Sequence, residues 1–268
     1  MPAIRADDLR KRYDDVAALD GLSVEVPDGE LYGFLGPNGA GKTTTLRVLT
    51  GQLVPDSGAS EVLGVDPAID PVGVRRRVGI LPEQGSPPSF LTPREYLQFV
   101  GRVRGMDESV VAERTDAWAD RLGFVGKLDT LATDLSRGQA QKAMVAAAFL
   151  HEPDLVFIDE PLANLDPIVQ ERLKRFLADY AGENTIFVST HDIDVAEELC
   201  TRVGIVADGR VVSELDVADL DEPLLDAFLA EVDAAGARDT PRRERATGDG
   251  TPRRERATGN GTSQEEDT

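Results

Sequence analysis

The chain has 268 residues, 41% of them apolar, and 49 acidic against 29 basic side chains give a net charge of −20. That length suits one large domain, or a domain with a subdomain and a tail. So acidic a surface argues against nucleic acid as the main partner, because phosphate backbones need Lys and Arg patches.

Only five of the basic residues are Lys, a balance similar to that of proteins from salt-loving organisms, where surface carboxylates keep the fold hydrated. The single cysteine, Cys200, excludes an internal disulfide and fits a reducing cytoplasm. No stretch approaches the ~18 apolar residues of a membrane span, and Met1-Pro2-Ala3-Ile4-Arg5 starts no signal peptide. The expectation is a cytosolic chain that acts at a membrane only through another chain.

In chain order, Ile4–Leu9 and Leu22–Val26 read as short strands, with the polar stretch Lys11-Arg12-Tyr13-Asp14-Asp15 between them. Tyr13 could stack on a nucleobase. The turn Pro27-Asp28-Gly29 leads into the apolar run Leu31–Leu35, and Gly36-Pro37-Asn38-Gly39-Ala40-Gly41-Lys42-Thr43 follows. That stretch fits the phosphate loop G-x-x-x-x-G-K-[ST]. Thr44 continues it as a helix, so a strand, a glycine loop and a helix N-terminus aim backbone N–H groups at one point. Lys42 would reach the β- and γ-phosphates, and the Thr43 hydroxyl would ligate Mg²⁺.

Pro55-Asp56-Ser57-Gly58 reads as a turn, followed by the short runs Glu61–Gly64 and Val78–Leu81. Residues 85–134 read as a helical insert. Thr92-Pro93-Arg94-Glu95 is a capping box with Pro at the first helical position. A second helix, about Glu108–Leu122, places Val111, Trp118 and Leu122 on one face, with Trp118 as core packing. The α/β pattern then resumes: helices over Gln139–Leu150, Pro167–Tyr180 and Asp194–Cys200 separate strands at Leu155–Ile158 and Thr185–Ser189, and Val203–Val206 and Arg210–Ser213 flank a turn. Such alternation implies a mostly parallel sheet covered on both faces. Thr240–Gly250 and Thr251–Gly261 are the same eleven residues twice, apart from Asp249 against Asn260. With Pro, two Gly and a single Ala per copy there is no apolar stripe, so residues 236–268 read as a disordered tail.

The strand Leu155–Ile158 ends in Asp159-Glu160. The first carboxylate suits Mg²⁺, and the second would sit where it can orient and deprotonate an attacking water. With these, Leu135-Ser136-Arg137-Gly138-Gln139, Pro161-Leu162-Ala163-Asn164-Leu165-Asp166 and Ser189-Thr190-His191-Asp192 complete a set of motifs, and residues 3–215 closely resemble the ATP-binding cassette (ABC) transporter ATPases. The resemblance implies an α/β phosphate-loop core with an antiparallel β subdomain and a helical insert, residues 1–235 forming the ATPase domain. It implies Tyr13 at the adenine, Gly36–Thr44 at the phosphates, and Thr43 with Asp159 at Mg²⁺. Glu160 would be the general base and His191 would contact the γ-phosphate. Ser136, Gly138 and Gln139 belong to the signature loop that meets the γ-phosphate held by a second ATPase subunit, and Asp166 would couple the two sites. Arg137 replaces the family's usual Gly. Where the family places a switch Gln, this chain has Glu83, with Gln84 one position later; either could serve. The Leu-Pro-Glu variant looks most like the ATPases of ABC-2 type exporters, which implies an ABC-2 type permease as partner and a place on the inner face of the membrane.

The alternative is a soluble ABC ATPase outside transport, but those usually carry two cassettes or a long coiled-coil insertion. A GTP-binding switch would need an Asn-Lys-x-Asp segment, absent from the sequence. The charge gives a test. Self-repulsion reaches over a Debye length of ~30 Å at 0.01 M salt but only ~3 Å at 1 M. The melting temperature should therefore rise between about 0.05 M and 2 M KCl, and a flat profile over that range would contradict the salt-adapted reading.

Overall fold

Alternation of apolar side chains along three short buried strands decides the centre of the fold. The computed structural model describes residues 1–234; the repeat tail expected from the sequence lies outside the described residues. Strands β3 (Leu31–Leu35), β6 (Leu155–Asp159) and β7 (Thr185–Thr190) are buried at every position. Successive side chains on a strand point to opposite faces. Leu31, Leu35, Val156, Ile158, Ile186 and Val188 enter one core, and Tyr32, Phe34, Phe157 and Phe187 enter the other. A sheet apolar on both faces must be covered on both.

These strands join β5 (Val78–Leu81), β8 (Arg202–Ala207) and β9 (Arg210–Asp216) in a six-stranded sheet of order β5-β6-β7-β3-β8-β9. All neighbours are parallel except β8 and β9. One face is covered by a three-stranded antiparallel sheet of order β2-β1-β4, formed by β1 (Ile4–Tyr13), β2 (Val16–Val26) and β4 (Ser57–Val62), together with α1 (Lys42–Leu49). The other face carries α5 (Arg137–Phe149), α6 (Pro167–Tyr180) and α7 (Ile193–Leu199), with α3 (Pro93–Val103) and α4 (Glu108–Arg121) packed on α5. The short α2 (Pro71–Arg77) precedes β5, and a last helix runs through 224–234.

The expected elements are present, with three differences. First, β1 and β2 run through the polar stretch around Tyr13 rather than stopping before it. Asp56, expected in a turn, accepts from Lys11 Nζ at 2.7 Å and from the Arg12 backbone N–H at 2.8 Å, so the polar residues are held by side chains as well as by strand pairing. Second, β4 begins inside that turn, at Ser57. Third, α2 and the last helix through 224–234 were not foreseen, although Asp70 caps α2 by accepting from Gly73 N at 2.8 Å and Pro71 is its first residue. The capping box of Thr92 and Glu95 forms as expected. Trp118 packs in the core, 5.5 Å from the Phe149 ring and 4.8 Å from the Phe176 ring.

One half-buried polar junction ties the α3 arm to the sheet. The Arg104 guanidinium donates to the carbonyls of Arg75, Arg76 and Val78, and its Nη1 lies 2.7 Å from His151 Nε2. A guanidinium can only donate, so the imidazole accepts and is neutral. Burial, with Arg104 and then Arg114 nearby, lowers the His151 pKa to about 4, against ~6.5 in an unfolded chain. The stability this neutral ring contributes is present above pH ~6.5 and is lost as the pH falls toward 4, because the unfolded chain takes up the proton first. The melting temperature of wild type relative to His151→Asn should drop across that window, whereas a constant difference would exclude the linkage.

Candidate active site

The phosphate loop is built by close backbone packing. β3 ends at Leu35, and Gly36 N–H still donates to Thr190 O, the last residue of β7, at 3.3 Å. Gly209 N–H donates to Ala40 O at 3.0 Å. Gly41, the N-cap of α1, has φ 107°, and a methyl group there would lie 2.5 Å from the Ala18 carbonyl oxygen. Only glycine meets both demands. No side chain caps α1 and no acidic residue occupies its first turn, so its free N–H groups and positive end are open to an anion.

Lys42 is 7% exposed, and its ammonium folds back on the loop, donating to Gly36 O at 2.6 Å and to Pro37 O at 3.1 Å. Burial lowers its pKa, while Glu160, Asp159 and Glu83 oppose the change. Thr43 Oγ1 donates to Asp159 Oδ2 at 3.3 Å. Burial raises the pKa of Asp159, so a cation beside this carboxylate would relieve the penalty on its charged form. Two hard oxygen donors at a helix start fit Mg²⁺, which takes one or two protein ligands and completes its shell with water and phosphate. No cluster of three or more His, Cys, Asp or Glu able to hold a metal occurs among the described residues.

Glu160 follows Asp159 with φ 54°, a left-handed conformation, and its N–H donates to Ser189 O at 2.8 Å. The twist brings its carboxylate against the end of β7. Thr190 Oγ1 donates to it at 2.9 Å, the His191 backbone N–H at 3.0 Å, and His191 Nδ1 lies 2.6 Å away. Thr190 is the residue that sequence reasoning missed; its hydroxyl at the strand end, just before His191, was the available signal.

Glu83 and Gln84 are both exposed and form one wall of a cleft of about 380 Å³, whose other side is Thr43, Leu46, Arg47 and Asp159. They also border a second hollow, of about 620 Å³, against Leu135, Arg137, Gln141 and Asn164. Only Glu83 adds charge at Lys42 and Asp159.

The structure therefore gathers Lys42, Thr43, Asp159, Glu160 and His191, with Glu83 and Gln84 across the cleft. Tyr13, Ser136, Gly138, Gln139 and Asp166 make no hydrogen bond or ion pair to that group among the described residues. Tyr13 is 43% exposed at the β1–β2 tip. Ser136 caps α5 in a reciprocal box: its Oγ accepts from Gln139 N at 3.3 Å, and Gln139 Oε1 accepts from Ser136 N at 3.0 Å. Asp166 caps α6 by accepting from Val169 N at 3.1 Å.

A fold of this topology carrying a phosphate loop, with two carboxylates and a histidine at adjacent strand ends, defines a nucleoside-triphosphate hydrolase. A family model described as ABC transporter matches residues 19–163, and the chain belongs to that family: it is an ATP-binding and ATP-hydrolysing transporter subunit that uses Mg²⁺. Members of the family dimerise and work with membrane permease subunits. The chain is 37% identical over 225 residues to the daunorubicin/doxorubicin resistance ATP-binding protein DrrA of Streptomyces peucetius, covering 83% of this chain and 68% of that protein. It is 35% identical over 217 residues to the Nod factor export ATP-binding protein I of Ralstonia nicotianae, covering 80% and 67%. Among solved structures it resembles the ATP-binding subunit of an ABC transporter, with TM-score 0.80 and 28% identity over 86% of this chain and 99% of the other. It shares the fold of the ATP-binding cassette MJ0796 in a dimeric post-hydrolysis state bound to ADP and Pi, with TM-score 0.74 and 22% identity over 80% and 98%. Among the described residues no helix is long and apolar enough to cross a membrane.

Because both candidate switch residues border the cleft but only one is charged, they can be separated by substitution. Glu83→Ala should lower turnover by about tenfold or more, the scale of a positioned catalytic group, and Gln84→Ala should lower it less, with ATP binding kept in both. Steady-state ATPase rates with a nucleotide-binding measurement check this, and the reverse ranking would assign the switch to Gln84.

Proposed function

We propose that this chain drives export through an ABC-2 type permease, working at the inner face of the membrane as one half of a head-to-tail pair. The observation that carries the chemistry is the Glu160 carboxylate, oriented by Thr190 and His191 one residue beyond Asp159. The direction of transport is supported by relatives named as drug-resistance and Nod factor export ATP-binding proteins.

In this reading Lys42 exchanges the Gly36 and Pro37 carbonyls for the β- and γ-phosphate oxygens, and the N–H groups of 36–44 complete the cradle. Tyr13 stacks on the adenine. Thr43 and Asp159 would hold Mg²⁺, which would supply positive charge to neutralise the phosphate oxygens. Glu160 accepts the proton of the attacking water, and His191, steadied through Nδ1, contacts the γ-phosphate. Ser136 and Gly138 of the second copy close the site from the other side, next to Gln139, while Asp166 couples the two sites. The α5 cap leaves Ser136 ready for this role: accepting from Gln139 N uses an oxygen lone pair and leaves the O–H free to donate to phosphate. Residues 85–134 form the subdomain that meets the permease, a reading supported by the exposed Phe90, Phe99 and Val103.

The test is Glu160→Gln, which keeps the shape but cannot take the proton. Hydrolysis should fall ~10²- to 10⁴-fold, while ATP, but not ADP, drives a monomer-to-dimer shift in light scattering at high salt. Adding Ser136→Arg should abolish the dimer. Hydrolysis at the wild-type rate would remove Glu160 from the role of base, and a mutant that binds ATP but stays monomeric would overturn self-sufficient pairing.

A further inference from the structure

Lys142 was not singled out by any motif, yet it is 9% exposed in the middle of α5, a helix with nine buried residues. An ammonium held away from water needs a partner. Its partner is Asp166, with Nζ 3.2 Å from Oδ2. The other carboxylate oxygen of Asp166, Oδ1, accepts from Val169 N. That N–H, and then Lys142, hold the Asp166 carboxyl below the usual carboxylate range. One carboxylate thus pins the start of α6 to the flank of the helix whose N-terminus presents Ser136 and Gly138.

A second contact lies at the same junction. A methyl group on Gly138 would sit 2.7 Å from the Asn164 carbonyl oxygen, so the signature backbone rests directly on the segment between Glu160 and Asp166. That segment has little freedom. Glu160 and Asn164 both have positive φ, 54° and 62°, Leu162 and Leu165 are buried, and Gln170 Nε2 donates to Leu162 O at 3.0 Å. Non-glycine residues held in left-handed conformations persist only where their surroundings over-determine them. The α5 N-terminus is therefore joined to the segment after Glu160 at two points, Gly138 on Asn164 and Lys142 on Asp166.

We propose that Lys142 is a positioning residue for hydrolysis: by binding Asp166 it locks the 160–166 segment to the signature helix, so that contact of Ser136 and Gly138 with one nucleotide sets the placement of Glu160 at the other. The inference rests on the head-to-tail reading above. A mere packing role is separable from this one. The Asp166 side chain is 52% exposed and keeps its bond to Val169, so Lys142→Met leaves no stranded buried charge and fills the same space.

The experiment uses the full chain at high salt and compares wild type, Lys142→Met and Lys142→Arg in melting temperature, kcat, KM and the Hill coefficient for ATP. The expected result for Lys142→Met is an unchanged melting temperature and KM, a kcat lowered about tenfold, in the range that a small misplacement of a catalytic group produces, and a Hill coefficient falling toward one. Lys142→Arg should recover most of both. Wild-type kcat and cooperativity in Lys142→Met would overturn the proposal, as would a kcat loss that tracks a fall in melting temperature or that Arg fails to rescue. ATP-driven dimerisation of Glu160→Gln with and without Lys142→Met separates the two readings. If Glu160→Gln alone fails to dimerise, the head-to-tail reading fails. If both dimerise while Lys142→Met turns over normally, only the positioning role fails.

Discussion

The electrostatics around one buried ammonium govern the site. Lys42 faces Glu160, Asp159 and Glu83 on a chain whose net charge is −20, and its hydrogen bonds go to the carbonyls of its own loop. Burial works against its charge and the three carboxylates work for it. A polyphosphate arriving alone would meet those carboxylates as like charges, so the site is balanced only when cations accompany it. The hard oxygens of Thr43 and Asp159 answer that need, and the unfilled N–H groups of α1 supply positive potential without a further side chain. The fold around them holds this arrangement open to one side, where Glu83 and Gln84 border both the nucleotide cleft and the hollow beside α5.

What the sequence made legible is what neighbouring residues determine. The phosphate loop, the buried strands β3, β6 and β7, and the capping box at Thr92 carry their signals within a few positions, and each is present. The strand ends were harder. β1 and β2 extend past their apolar alternation because Asp56, far along the chain, holds Lys11 and Arg12. The pair of Lys142 and Asp166 is likewise invisible to any window, since it joins two helices across the strand β6 that separates them. Glu83 and Gln84 could not be ranked by spacing at all; their difference is one of charge at Lys42, which requires coordinates. Ser136 and Gln139 were read for their place in the signature, and the structure adds that the same two residues form the cap of α5.

The surface ion pairs belong to a different category from these contacts. Pairs such as Arg5 with Asp7, or Arg102 with Glu108, are exposed on both sides, and such pairs contribute little individually and less in salt. The junctions at Arg104 and Lys142 are half-buried or buried, and they connect elements that must keep a fixed relation. Salt therefore weakens the fully exposed pairs most, and acts less on the junctions where Lys142 and Arg104 are withdrawn from water.

The packing of the phosphate loop has a consequence for how the chain comes to life during synthesis. The loop spans residues 36–43, yet its backbone is braced by Ala18 on one side, by Thr190 at the end of β7, and by the turn at Gly209 between β8 and β9. A growing chain that has emerged only through α1 contains every residue of the motif and none of its later supports. The strands that flank β3 on both sides, β7 and β8, are made long after it. Such non-local pairings form slowly because the intervening chain must close first. The geometry that the loop has here is complete only when the second half of the molecule has folded back over the first.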